Sequence, residues 1–131
     1  MFTKELIKKV KKISYEAGFD DFGITDLENF EFYSLKLEEF IKKKYHGEMT
    51  WMKEKKLFRK NPKNLWFEAR SAIVLGINYG TKKNPIADLK EKKKAYISIY
   101  SRRKDYHKVI KSKLKSVARS LQKITKSKVK V

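Results

Sequence analysis

One stretch constrains the fold more than any other: Ser71 to Tyr79, reading SAIVLGINY. Its apolar run, Ala72 to Ile77, is far shorter than the ~18–20 residues a membrane helix needs. Such a continuous run fits a strand buried on both faces. A strand of that kind needs a sheet around it and helices over it. The rest of the chain must therefore supply both.

The flanking periodicities do so. Thr3 is placed to cap a helix in which Leu6, Val10, Ile13 and Ala17 recur at helical spacing, and Gly18 is placed to end it. Phe19 to Asp26 reads as a short strand around Phe22 and Ile24, with Asp26 opening a turn. Ser34 to Lys44 predicts a second helix with Leu35, Leu37, Phe40 and Ile41 inward. Glu48 to Lys56 predicts another helical turn or two. Pro62 opens a short helix to Ala69, with Leu65 and Trp66 as buried anchors. Residues 80–94 read as a loop. Ala95 to Ser101, AYISIYS, alternates as a second central strand. Lys104 or Asp105 then opens a long helix to about Thr125, striped by Val109, Leu114, Val117, Leu121 and Ile124. Lys128 to Val131 reads as the first half of a further strand. The expected fold is one α/β domain, a mixed sheet flanked by helices, incomplete at the C-terminus.

Length and composition agree with one domain. The chain has 131 residues, with 40% hydrophobic against 37% charged, which is too apolar for a disordered chain. There is no cysteine, which excludes disulfides, zinc–thiolate sites and cysteine-held iron–sulfur clusters within it. A reducing, cytoplasmic setting suits that composition. The first residues, MFTKELIKKVKKI, are too charged for a signal-peptide core. No membrane association and a monomeric state are expected.

The net charge of +19 is unevenly placed. Residues 1–79 carry 16 Lys and Arg against 12 Asp and Glu, giving +4, whereas residues 80–131 carry 18 against 3, giving +15. A one-sided excess makes a positive field that attracts polyanions. Nucleic acid is the first candidate and an anionic membrane surface the second. A generally lysine-rich composition is the bland alternative.

Most chemistry finds no support. His46 and His107 lack partners at metal-ligand spacing, so no metal site is expected. The five glycines form no phosphate loop, and no serine has nucleophile-elbow context. The unusual segment is Tyr96 to Lys108, YISIYSRRKDYHK, which runs from strand through basic turn into a helix N-terminus. Such an end can take an anion, while tyrosine faces and arginine forks suit a planar or phosphate-bearing ligand. A strand edge with a charged turn accounts for the same residues, and both readings stay open.

Several segments together resemble the epoxyqueuosine reductase family. Gly18 to Asp26, GFDDFGITD, looks like its opening strand motif. Tyr45 to Met52, YHGEMTWM, resembles its YHGEMxWM signature. Leu57 to Pro62, LFRKNP, Ser71 to Tyr79, Ile97-Ser98 and Asp105 to Val109, DYHKV, match further elements in consistent order. The resemblance implies an N-terminal cobalamin-binding domain similar to those of reductive dehalogenases. It implies reduction of epoxyqueuosine to queuosine in tRNA, with cobalamin as cofactor and tRNA as partner. Iron–sulfur clusters belong to a following domain of the full-length family.

Carried over by position, Arg59, Asn78, Tyr79, Ser98 and Tyr100 are candidates to line the cofactor and substrate site. Asp105, Tyr106 and His107 would sit where the next helix begins. Ile99 departs from the usual arginine, whose charge Arg102 or Arg103 would have to replace. The resemblance also places the proton-donating Asp, in a V-D-S/T-x-P motif, after Val131. An inactive N-terminal fragment is therefore the expectation, with a stand-alone RNA-binding module or a cobalamin chaperone-like protein as alternatives.

Overall fold

The computed structural model describes residues 3–28, 30–82, 84–102 and 104–131. Arg103 thus lies outside the described residues. Five α-helices and two strands follow in the order α1 (Lys4–Glu16), β1 (Asp21–Asp26), α2 (Glu31–Lys42), α3 (Thr50–Glu54), α4 (Lys56–Lys60), β2 (Ser71–Gly76) and α5 (Tyr106–Thr125). Short 3-10 turns occupy Pro62–Asn64, Pro85–Lys90 and Ile99–Ser101. The strands pair in one two-stranded sheet. The pairing is antiparallel: the Asp20 N–H donates to the Gly76 carbonyl at 2.8 Å, and the Leu27 N–H to the Arg70 carbonyl at 3.2 Å. The architecture is mixed helix and sheet. Among the described residues no helix is long and apolar enough to cross a membrane.

The chain divides into two compact units, residues 1–22 with 75–131, and residues 23–74. In the first unit α1 packs on α5. The Thr3 hydroxyl accepts from the Leu6 N–H at 3.2 Å, satisfying one open donor of the first turn. Gly18, at φ +83°, closes the helix in the left-handed region open to a residue without Cβ. The core consists of Val10, Phe19, Val117, Ala118 and Leu121, with Ser14 enclosed among the buried residues. The Ser14 hydroxyl donates to the Val10 carbonyl at 2.9 Å, so its burial leaves no donor unmet. Lys113 reaches from α5 to the Gly18 carbonyl at 2.6 Å.

In the second unit α2 packs on α4, and Glu38 of α2 pairs with Lys60 of α4. The Asn61 side chain accepts from the Lys63 N–H at 2.9 Å, and Pro62 opens the 3-10 turn, as the Asn-Pro step leads one to expect. Leu27 is buried, but α2, α3, α4 and the turn after them hold no fully buried residue.

Several expectations are corrected. Ala95–Ser101 is not a strand: its residues are mostly exposed, no strand among the described residues pairs with them, and the Ser101 N–H turns back to the Ser98 carbonyl at 2.9 Å. Lys128–Val131 is not a strand either. Among the described residues β2 has only β1 beside it, so Val74 is 62% exposed rather than buried on both faces. Leu35 and Leu65, expected inward, are exposed, and the helix expected to reach Ala69 stops after one 3-10 turn.

Candidate cofactor and anion site

The eight candidate residues fall in four local settings, three in the first unit and one in the second. Asn78 and Tyr79 follow β2, where the ladder ends and a side chain takes over. The Asp20 carboxylate accepts the Asn78 N–H at 2.8 Å, and the Asn78 side-chain oxygen accepts the Gly80 N–H at 2.8 Å. A Cβ on Gly80 would stand 2.9 Å from that oxygen, so a larger residue there would push the Asn78 side chain aside. The two hydrogen bonds fix the backbone on both sides of Tyr79, whose ring stays 61% exposed. The sequence places Asp20 inside the expected Phe19–Asp26 strand, but β1 starts at Asp21 and the Asp20 side chain serves the end of β2 instead.

Ser98 and Tyr100 sit on the 3-10 turn, and Arg102 staples that turn from below. Its Nε donates to the Ile97 carbonyl at 2.7 Å, both terminal nitrogens reach Asp88 at 3.4–3.5 Å, and its guanidinium lies 4.9 Å from the Tyr96 ring centre. Arg102 therefore holds its own loop, and its charge is matched by Asp88. It does not stand free to replace the family arginine at Ile99. The Tyr100 ring is 60% exposed.

Asp105, Tyr106 and His107 are brought together at the start of α5. Asp105 caps the helix, its Oδ1 accepting the His107 N–H at 3.0 Å and facing His107 Nδ1 at the same distance. These bonds to His107 hold the Asp105 carboxyl below its ordinary value. The Tyr106 and His107 rings stack with centres 4.0 Å apart. The helix end that could take a phosphate is thus already answered by the chain's own carboxylate. Among the described residues no hydrogen bond or ring contact joins Asn78 or Tyr79 to Ser98, Tyr100 or the Asp105 cluster.

Arg59 lies in the second unit, exposed on α4, with its guanidinium 4.5 Å from the Trp51 ring centre of α3. A cation over an indole face is favourable. This contact unites the YHGEMTWM and LFRKNP segments, a pairing that sequence spacing does not reveal. His46 is half-buried, and its Nδ1 is enclosed without a partner among the described residues. It lines a surface cavity with Ile41, Lys42, Lys44 and Glu48. A second cavity is lined by Lys115, Ala118, Arg119, Val129 and Val131. None of the eight candidates lines either one. Their donor set still suits a planar macrocycle that carries amides. Tyr79, Tyr100 and Tyr106 are 61%, 60% and 51% exposed, leaving flat apolar faces and hydroxyls open, and Asn78 adds an amide.

Comparison with known proteins bears on the same stretch. A family model described as "Epoxyqueuosine reductase QueG, DUF1730" matches residues 59–131. Curated relatives named epoxyqueuosine reductase include one from Escherichia coli (strain K12), 34% identical over 119 residues, covering 90% of this chain and 31% of the relative. Another, from Vibrio cholerae, is 31% identical over 123 residues, covering 93% and 33% respectively. One from Cyclobacterium marinum is 37% identical over 114 residues, covering 86% and 36%. No solved structure matches the chain. The chain spans about a third of the length of these relatives. The match runs from Arg59 through β2, the 3-10 turn and α5, so that by its sequence this chain belongs to the epoxyqueuosine reductase family.

Proposed function

We propose that the chain is the cobalamin-holding portion of an epoxyqueuosine reductase, the whole protein reducing epoxyqueuosine to queuosine in tRNA. On this reading its fold is akin to the cobalamin domain of reductive dehalogenases. One observation carries the reading: all eight candidate residues, Arg59 to His107, fall inside the stretch that matches the family. When bound, cobalamin supplies a cobalt centre that passes electrons to the substrate. The residues of this chain do the holding. Tyr79, Tyr100 and the Tyr106 face not covered by His107 would offer flat apolar surface to the cofactor, and Asn78, Ser98 and the tyrosine hydroxyls would hydrogen-bond its amides. Asp20 keeps the turn that carries Asn78 and Tyr79 in place. Within its own unit Arg59, steadied on Trp51, presents a cation with five donors in a fixed fork.

Titrating cob(II)alamin into the chain tests this. A saturable change in its absorption spectrum is expected. Tyr79→Ala and Tyr100→Ala should each weaken binding by roughly tenfold, which is about 1.4 kcal/mol. A spectrum unchanged by excess protein overturns the reading.

A further inference from the structure

α5 carries a second pattern besides its apolar stripe. It contains no acidic residue, and its cations are not scattered. At about 100° per residue, Lys108, Lys111, Lys115, Arg119 and Lys123 fall on one side of the helix. Val117 and Leu121, which enter the core, fall on the other. All five cations are exposed. Among the described residues none of the five is in an ion pair.

α1, also lysine-rich, answers part of its charge within the helix: Lys9 pairs with Glu5 at 2.8 Å, and Lys12 faces Glu16 at 3.8 Å. α5 has no acidic residue to do the same for its like charges, which stand three and four residues apart, each such pair opposing the helix by about 0.2–0.5 kcal/mol. Packing does not require this, because the stripe lies away from the core. An anionic partner does: it turns the repulsion into binding.

We infer that the Lys108–Lys123 face of α5 is a docking surface for the phosphate backbone of RNA, distinct from the candidate cofactor residues. This rests on the proposed action on tRNA and names the surface involved. The stripe spans about 22 Å at ~1.5 Å per residue. One strand of a nucleic-acid duplex sets a phosphate about every 3.4 Å of axis, so several phosphates come within its reach. An anionic membrane fits worse. A helix that lies in a membrane surface must bury its own apolar face in lipid. In α5 that face is already in the protein core, through Val117, Ala118 and Leu121.

The test measures binding of the chain to a short RNA stem-loop as a function of salt. The double variant Lys115→Gln/Arg119→Gln is compared with Lys9→Gln/Lys12→Gln, which loses the same charge from α1. Glutamine keeps the helix propensity, and circular dichroism checks that both variants fold. Each lost phosphate contact should flatten the log–log salt slope by roughly 0.7–0.9. The α5 double should therefore flatten it by about 1.5, and the α1 double by much less. Equal losses in the two doubles would show only diffuse charge and overturn the inference. So would vesicles of phosphatidylserine that bind as tightly as the RNA and respond to the same variants. Failure here is separable from failure of the cofactor reading. RNA binding with an unchanged slope in the α5 double sinks the stripe alone, whereas loss of cobalamin binding shows only in the cob(II)alamin titration.

Discussion

Residues 23–74 and the other unit differ in where they bury apolar surface and in how much of their charge they match. Residues 23–74 carry 11 Lys and Arg against 8 Asp and Glu, and the remainder carries 23 against 7. The balanced unit pairs its charges, as in Lys60 with Glu38 and in Glu39 with both Lys36 and Lys43. Yet it leaves Phe67 86% exposed, Leu65 67%, Tyr33 64% and Phe32 62%. The basic unit buries Val10, Phe19, Val117 and Leu121, and although Lys9, Lys12 and Arg102 are paired it leaves the α5 stripe from Lys108 to Lys123 unmatched. Buried apolar area stabilises by roughly 25 cal/mol per Å², while exposed ion pairs contribute about 1 kcal/mol or less. Stability is therefore concentrated where α1 meets α5, and the cations there are free to serve binding.

The sharpest way to break this comparison is a pair of leucine truncations. Leu121→Ala, in the α1–α5 core, should cost about 2–5 kcal/mol in chemical denaturation. Leu65→Ala, at 67% exposure, should stay within about 0.5 kcal/mol. Similar losses at the two positions would mean that the core is not where the buried side chains place it.

A smaller effect tests the helix ends. Thr3→Ala removes the side-chain cap of α1 and should cost about 1 kcal/mol, read by thermal denaturation. The starts of α2, α3 and α4 have no side-chain cap to lose. Amide exchange should accordingly be slowest in α1 and α5 and faster in α2 to α4. Equal protection throughout would erase the contrast between the units.

These same helices show how far the sequence could be read. α1 and α5 were legible because a cap and an apolar period coincide within each segment, joined in α1 by Gly18 as a stop signal. Thr3 and Asp105 both cap as their residue types predict. The Ala95–Ser101 segment misled because alternation is a local property, whereas a strand exists only if another strand pairs with it. Arg102, anchored on Ile97 and Asp88, instead bends the segment into a turn. Leu35 and Leu65 misled similarly, since periodicity says which face is apolar but not what covers it. Of the candidate site, the motif positions were legible but their contacts were not. Asp20 holding Asn78 spans 58 residues of sequence, and the Arg59–Trp51 contact joins two separate short helices.

The smallest expected effect concerns acid, and it compares one carboxylate from each unit. Asp105 is held below its ordinary value of 3.8, first by its side-chain bond to His107 and then by the His107 N–H. Glu38 is held below its ordinary 4.5, chiefly by Lys60. For a carboxyl lowered by folding, the sign is fixed. Its contribution is complete above the unfolded value and is lost as pH falls through the lower folded one. Both contacts should therefore be intact at neutral pH and fail only in acid. Nuclear magnetic resonance can follow each: the His107 amide should shift as Asp105 protonates, and the Lys60 side-chain signals as Glu38 does. Asp105→Asn keeps an acceptor oxygen for the cap but cannot titrate. It should silence the His107 shift and leave the Lys60 signals moving, while Glu38→Gln should do the converse. A His107 amide that still moves below pH 3.8 in Asp105→Asn would show that another group drives it. The two helix contacts would then not be independent local devices, one in each unit.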